Sequence, residues 1–108
     1  MLTKSSRALA ESAIIEAAEE KGLITVHELG EAAFYGPKLD FEVQAADGKN
    51  ITIATIQLDF VLPQKFGLTY VDKEQKKQTP VIIHQSPFGS YQRFIALLLE
   101  QTSGKLPF

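Results

Sequence analysis

Two periodicities divide the chain. Over Leu39–Gln44 the apolar residues Leu39, Phe41 and Val43 alternate with Asp40, Glu42 and Gln44, the two-residue repeat of a half-buried strand. Asp47-Gly48 follows with hairpin turn chemistry, and the β-rich run Ile51 to Phe60 supplies the returning strand, so a long antiparallel hairpin is predicted. At the two ends the repeat is helical. From Ser6 to Lys21, Ala10, Ala13, Ile14, Ala17 and Ala18 form one stripe, closed by Gly22 as a C-terminal cap. From about Phe88 to Gln101 the stripe is Phe88, Tyr91, Ile95 and Leu98, with Arg93 roughly opposite its centre.

Shorter signals fill the intervals. Leu23-Ile24-Thr25-Val26 is β-branched and reads as a short strand, and Gly36-Pro37 after Ala33-Phe34-Tyr35 marks a turn or bulge. Pro63 and Gly67 mark a connection, Leu68–Val71 reads as a short strand, Asp72–Gln78 as a polar tip, and Val81-Ile82-Ile83 as a further strand. The expected fold class is α+β: an antiparallel sheet of about five strands, with an N-terminal amphipathic helix and a C-terminal helix packed on it. No repeat, low-complexity stretch or internal boundary interrupts residues 1–108, so a single domain is expected.

Composition narrows the function classes. A chain of 108 residues that is 44% hydrophobic and 22% charged belongs with ordinary globular domains, and a fold of this size leaves room for a surface cleft rather than a large enclosed site. No run approaches the roughly 20 apolar residues of a membrane span, and Met1-Leu2-Thr3-Lys4 opens no signal peptide, so no membrane association and a cytoplasmic location are expected. The absence of cysteine removes disulfides, thiolate chemistry and cysteine-ligated zinc from the chain's own resources. Up to Phe60 there are five basic and ten acidic residues, and beyond it six and three. Neither part carries the basic footprint of a nucleic-acid surface, and Lys73-Glu74-Gln75-Lys76-Lys77 reads as a solvated hairpin tip.

Three collinear blocks then stand out: GEAAFYGPKLDF over Gly30–Phe41, TIQLDFVLPQKFGLTYVD over Thr55–Asp72, and PVIIHQSPFGSYQRFIALLLEQTSGKLPF over Pro80–Phe108. In this order and spacing they resemble the threonyl-tRNA synthetases, a family of class II aminoacyl-tRNA synthetases, from about Glu11 onward. The resemblance implies the C-terminal half of a class II catalytic core, with the last strand and helix as the family's motif 3. It implies a parent enzyme that makes threonyl-adenylate from threonine and ATP with Mg2+, passes threonine to tRNA(Thr), and holds the amino and hydroxyl groups of threonine on an active-site Zn2+.

The resemblance also carries roles to matched positions. His84 stands where the family has its third zinc ligand. Tyr35 and Lys38 match the segment lining the amino-acid and adenylate pocket, where a lysine places positive charge near a developing phosphate charge. Gln57 matches a polar residue reaching into that pocket from the sheet, and Arg93 matches the motif 3 arginine that grips the γ-phosphate of ATP. Gly89 and Ser90 match the small residues at the start of the same helix, where backbone can approach the nucleotide. Lys38 and Arg93 are thereby the expected catalytic groups. Tyr35, Lys38, Gln57 and Ser90 are expected to bind substrate, and Arg93, Gly89 and Ser90 to bind nucleotide.

Without the resemblance the same residues have plainer readings. His84 is then a strand-end histidine bonded to a neighbour, Tyr35 a core residue, Lys38 a solvated lysine, Gln57 the outward polar residue of an alternating strand, and Arg93 an exposed helical arginine.

Three positions depart from the family pattern: Gln92 replaces the usual acidic residue, Gln85 the usual arginine, and Thr52 a glutamine that contacts ATP. The sequence also lacks the family's motif 1, the motif 2 arginine, the other two zinc ligands, the editing region and the anticodon-binding domain. The expectation is a part of a threonine-tRNA ligase that binds no cofactor tightly and makes no adenylate alone. The alternative is a non-catalytic binding or self-association module derived from the synthetase sheet, associating through an exposed sheet edge; a homodimer is a further expected partner state. A hydrolase built on Ser90, His84 and Asp59 has the residue types of a triad but no strand-turn-nucleophile elbow to present the serine.

Overall fold

The alternating run folds as expected. The computed structural model describes residues 4–106; Met1–Thr3, where the chain start was read, and Pro107 and Phe108, which end the third block, lie outside the described residues. Strand β1 (Lys38–Gln44) and strand β2 (Asn50–Asp59) form the predicted hairpin. At its tip the Gly48 amide donates to the Ala45 carbonyl at 2.9 Å and the Ala45 amide donates to Lys49 at 2.9 Å. Gly48 itself sits at φ 82°, a left-handed position that closes a turn of this shape and suits glycine.

Helix α1 (Lys4–Glu20) ends as its sequence signals. Gly22 at φ 68° lets its own amide reach the Glu19 carbonyl at 2.8 Å and the Leu23 amide reach Ala18 at 3.1 Å. That paired arrangement satisfies two carbonyls the last turn would leave open. Of the predicted stripe, Ala10 and Ala18 are buried and Ile14 half-buried, whereas Ala13 and Ala17 are exposed, so the covered strip is narrower than the sequence suggested. Leu23–Val26 forms no strand; Ile24 is 97% exposed, and a β-branched run with no partner strand gains nothing from its propensity.

Downstream lie the short helix α2 (Leu62–Lys65), strand β3 (Tyr70–Val71), strand β4 (Lys77–Gln78), strand β5 (Ile82–Ser86) and helix α3 (Tyr91–Gln101). The five strands fall into two antiparallel sets: a sheet in the order β1-β2-β5, and a two-stranded ribbon pairing Tyr70 with Gln78 and Val71 with Lys77. The α+β class and both terminal helices are therefore present, with the strands divided three and two. No helix among the described residues is long and apolar enough to cross a membrane.

The chain groups into two compact units. The first runs to Lys38 and resumes over Gln57–His84; the second comprises Leu39–Ile56 and the chain from Gln85. Within the second, α3 is tied to the hairpin at both ends. Glu100 accepts a 2.8 Å hydrogen bond from the Ala46 amide, and at Gly89 (φ 55°) a Cβ would lie 3.2 Å from the Ile53 carbonyl oxygen. Helix α3 begins at Tyr91 rather than Phe88, and its covered side is not the predicted stripe. Leu97 is buried and Phe94 and Leu98 half-buried, while Tyr91 and Ile95 are 71% and 53% exposed. The buried set has the i, i+3, i+4 spacing of a helix face, and Arg93 lies about a quarter turn from its centre, on the flank.

Candidate functional site

Tyr35, Lys38, Gln57 and His84 belong to the first unit; Gly89, Ser90 and Arg93 belong to the second. In the first, the segment before β1 runs antiparallel to the end of β2. The Tyr35 carbonyl accepts from the Phe60 amide and the Pro37 carbonyl from the Leu58 amide, both at 3.0 Å. Gly36 between them is buried, and a Cβ there would collide with the Leu58 carbonyl oxygen, so this close approach requires glycine.

That approach sets Tyr35 beside Gln57: the phenol donates to the Gln57 side-chain carbonyl at 2.9 Å. The donation fixes which end of the amide faces the tyrosine and turns the NH2 group, a double donor, to other partners. Asp59 lies two residues along β2 and therefore projects from the same face of the strand as Gln57. Its Oδ2 is 2.8 Å from Nε2 of His84 on β5. The Tyr35 and His84 rings are 6.2 Å apart, centre to centre, and inclined at 60°. Tyr35, Gln57, Asp59 and His84 thus form one polar cluster around an aromatic ring. Lys38 is half-buried at the first position of β1.

Asp59 is the buried polar residue of this cluster, with 0% exposure. Its other oxygen, Oδ1, accepts from the amides of Val61 and Leu62, each at 2.9 Å, where the chain turns from β2 into α2. Burial pushes its carboxyl up, but the Leu62 amide, the His84 ring and the Val61 amide together outweigh that, and the net pKa lies below the ordinary carboxylate value. His84 is therefore bonded to a neighbour, as its plain reading expects, but it stands at the centre of β5 rather than at a strand end. Asp59 is the residue of this cluster that the sequence singles out only as a member of the hydrolase triad. A usable signal is an aspartate shortly before Pro63, a residue type that accepts from backbone amides two and three residues on where a chain turns.

In the second unit Ser90 occupies the position before the first turn of α3, with extended backbone, and its hydroxyl donates to Gln92 at 3.1 Å. That bond uses a departure from the family pattern, and it commits the serine that a triad would need. Arg93 is exposed on the first turn, and Phe88 packs edge-on against Phe94 at 4.9 Å. The backbone amides of Gly89 and Ser90 just before α3, that of Tyr91 at its first position, and the Arg93 guanidinium are the features of this unit suited to an anion.

Among the described residues no three histidine, cysteine, aspartate or glutamate side chains come together as a metal site. The chemistry of the cluster still fits one ligand. A neutral imidazole whose Nε2 is engaged by a carboxylate keeps a lone pair on Nδ1.

Residues 4–102 match the family described as tRNA synthetase class II core domain (G, H, P, S and T). The chain is similar to the threonine-tRNA ligase of Porphyromonas gingivalis, with 58% identity over 98 residues, 91% of this chain and 15% of that protein. The corresponding ligase of Flavobacterium johnsoniae is 57% identical over the same shares. Among solved structures, the RNA binding domain of threonyl-tRNA synthetase from Cryptosporidium parvum superposes with a TM-score of 0.83 at 41% identity, covering all of this chain and 28% of that one. A putative threonyl-tRNA synthetase from Aeropyrum pernix gives 0.78 at 40% identity, covering all of this chain and 25% of that one. The chain spans about 15% of the length of the curated relatives it matches. It belongs to the class II tRNA synthetase core-domain family of the G, H, P, S and T enzymes.

Proposed function

We propose that this chain supplies part of the active site of a threonine-tRNA ligase, corresponding to the C-terminal half of the catalytic core with motif 3 at β5 and α3. The observation that carries the reading is the cluster of Tyr35, Gln57 and His84: two of its members are bonded directly and the third is fixed by Asp59. These are residues that the threonyl-tRNA synthetase resemblance assigns to the threonine site. Sequence identity of 55–58% to threonine-tRNA ligases from several bacteria supports the same substrate.

In this reading Gln57, its amide oriented by Tyr35, donates to threonine, while Lys38 provides positive charge near the carboxylate and α-phosphate. Arg93 binds the γ-phosphate of ATP, whose charge Mg2+ shares, and the backbone at Gly89 and Ser90 approaches the nucleotide. His84 is the one zinc ligand this chain offers; when bound, Zn2+ supplies an open, Lewis-acidic position for the amino and hydroxyl groups of threonine. With one ligand of the expected set, the chain by itself binds zinc, threonine and ATP weakly and forms no adenylate. The parent enzyme, with tRNA(Thr) as the acceptor, works in the cytoplasm, and residues 1–108 are a portion of its catalytic domain.

The test is a graft. The Porphyromonas ligase carrying residues 4–102 of this chain in place of its own matched segment is expected to charge tRNA(Thr) with threonine. Arg93→Ala in the graft is expected to lower kcat/KM roughly tenfold to a hundredfold, the range for losing a charge-assisted bond. A folded graft that charges no tRNA, or one indifferent to Arg93→Ala, would contradict the proposal.

A second reading is self-association, favoured by the apolar side chains left open: Ile24, Leu29 and Phe34 are 97%, 94% and 71% exposed. A light-scattering mass that doubles with concentration, and ignores threonine, ATP and zinc, would support that reading over the first.

A further inference from the structure

The His84 ring has two nitrogens, and the bond it makes decides which of them can hold a metal. We propose that Asp59 is a positioning residue for His84: its carboxylate holds the imidazole as the Nε2–H tautomer, so that Nδ1 is the atom presented to zinc. The inference rests on the reading of His84 as a zinc ligand and assigns it an atom and an orienting partner.

Three observations carry it. Asp59 is completely buried, and its Oδ1 is anchored by two backbone amides at 2.9 Å, so the carboxylate cannot rotate without breaking the start of α2. Oδ2 is consequently fixed 2.8 Å from Nε2. An ionised carboxylate only accepts hydrogen bonds, so the nitrogen facing it must carry the proton, and a neutral ring then has its lone pair on Nδ1 alone. Finally, the His84 side chain remains 41% exposed although its partner is not exposed at all, which leaves the ring open to a ligand while one edge is clamped. A carboxylate behind a ligating histidine fixes the orientation of the ring, and removing such a partner lowers metal affinity about 10–100-fold.

Asp59→Asn separates positioning from folding. Its side-chain oxygen can still accept from Val61 and Leu62, but its NH2 then faces Nε2 and favours the opposite tautomer, with the proton on Nδ1. The experiment is long-range proton–nitrogen NMR of the 15N-labelled chain, at a pH about two units above the ordinary histidine value of about 6.5, first without metal and then with added zinc chloride. The expected result is a single Nε2–H tautomer for His84 in the wild type, a shift to Nδ1–H in Asp59→Asn, and a zinc-dependent shift at Nδ1 in the wild type that needs at least tenfold more zinc in the variant. His27, exposed and remote in sequence, serves as the reference whose response to zinc is the same in both proteins.

A wild-type ring protonated on Nδ1 overturns the positioning role, and that measurement needs no variant to fold. A tautomer unchanged by Asp59→Asn overturns it as well. The expected tautomers with zinc acting on His27 and not on His84 overturn the zinc-ligand reading itself, a failure distinct from the other two.

Discussion

Two aspartates do similar work on the backbone and different work beyond it. Asp59 and Asp72 each accept two amide hydrogen bonds through Oδ1, from Val61 and Leu62 in one case and from Glu74 and Lys76 in the other. Each uses Oδ2 for one side chain: the His84 ring for Asp59, the Gln78 amide for Asp72 at 2.9 Å. Asp72, half-buried, closes the tip of the β3–β4 ribbon and its partner is an exposed glutamine. Asp59 is buried, and its partner belongs to the candidate site. The same local device therefore ends as a turn in one place and as a side-chain clamp in the other, and burial makes the difference.

The comparison is most easily broken by deletion. Asp59→Ala removes the acceptor for two amides and leaves the His84 ring without its partner, so a loss of about 2–4 kcal/mol in denaturant unfolding is expected, the range for breaking a buried hydrogen-bond network. Acid comes next. The Asp72 carboxyl is held below its ordinary value, chiefly by the Gln78 side chain and the Lys76 amide, as that of Asp59 is by its own partners against the effect of burial. Folded values below an unfolded value of about 3.9 mean that both contributions are complete above that pH and disappear as the pH falls through the folded values. Denaturation midpoints measured against pH should thus decline below about pH 4, and should decline less steeply in Asp59→Asn, which has lost one of the titrating groups. The smallest effect is expected from Asp72→Ala, which should raise amide exchange in residues 70–78 while leaving the global midpoint close to that of the wild type.

The two hairpins explain what could be read in advance. At the tip of β1 and β2, Asp47-Gly48 announces the turn because the position that must adopt positive φ is filled by glycine. The ribbon of β3 and β4 uses the same closure: the Gln75 amide donates to Asp72 at 3.1 Å, and the Asp72 amide to Lys76 at 2.9 Å. There the left-handed residue is Gln75 at φ 60°, and nothing in a glutamine signals that conformation, so β4 was read as part of a polar tip. Helix α1 is legible through Gly22, and the end of α3 at Gln101 agrees with the sequence, although Ser103 rather than glycine is the first residue beyond it to take the left-handed conformation, at φ 51°.

The site divides in the same way. Resemblance indicated Tyr35, Gln57 and His84, but only coordinates could pair the phenol with the amide across 22 residues, or His84 with Asp59 across 25. The covered face of α3 differs from its apolar stripe for a related reason: Phe88, Tyr91 and Ile95 are apolar at helical spacing, yet which apolar residues are covered depends on the neighbours a helix meets and not on its own pattern. Periodicity finds faces, and tertiary contacts choose between them.

Threonine-dependent ATP–pyrophosphate exchange by the grafted ligase, compared between Asp59→Asn and Asp72→Asn at equal folded fractions, tests the central distinction directly. If Asp59 serves the threonine site and Asp72 only its turn, Asp59→Asn should lower exchange at least about tenfold, and Asp72→Asn should remain within about twofold of the unsubstituted graft. Equal effects of the two substitutions, or an unimpaired Asp59→Asn enzyme, would contradict the account.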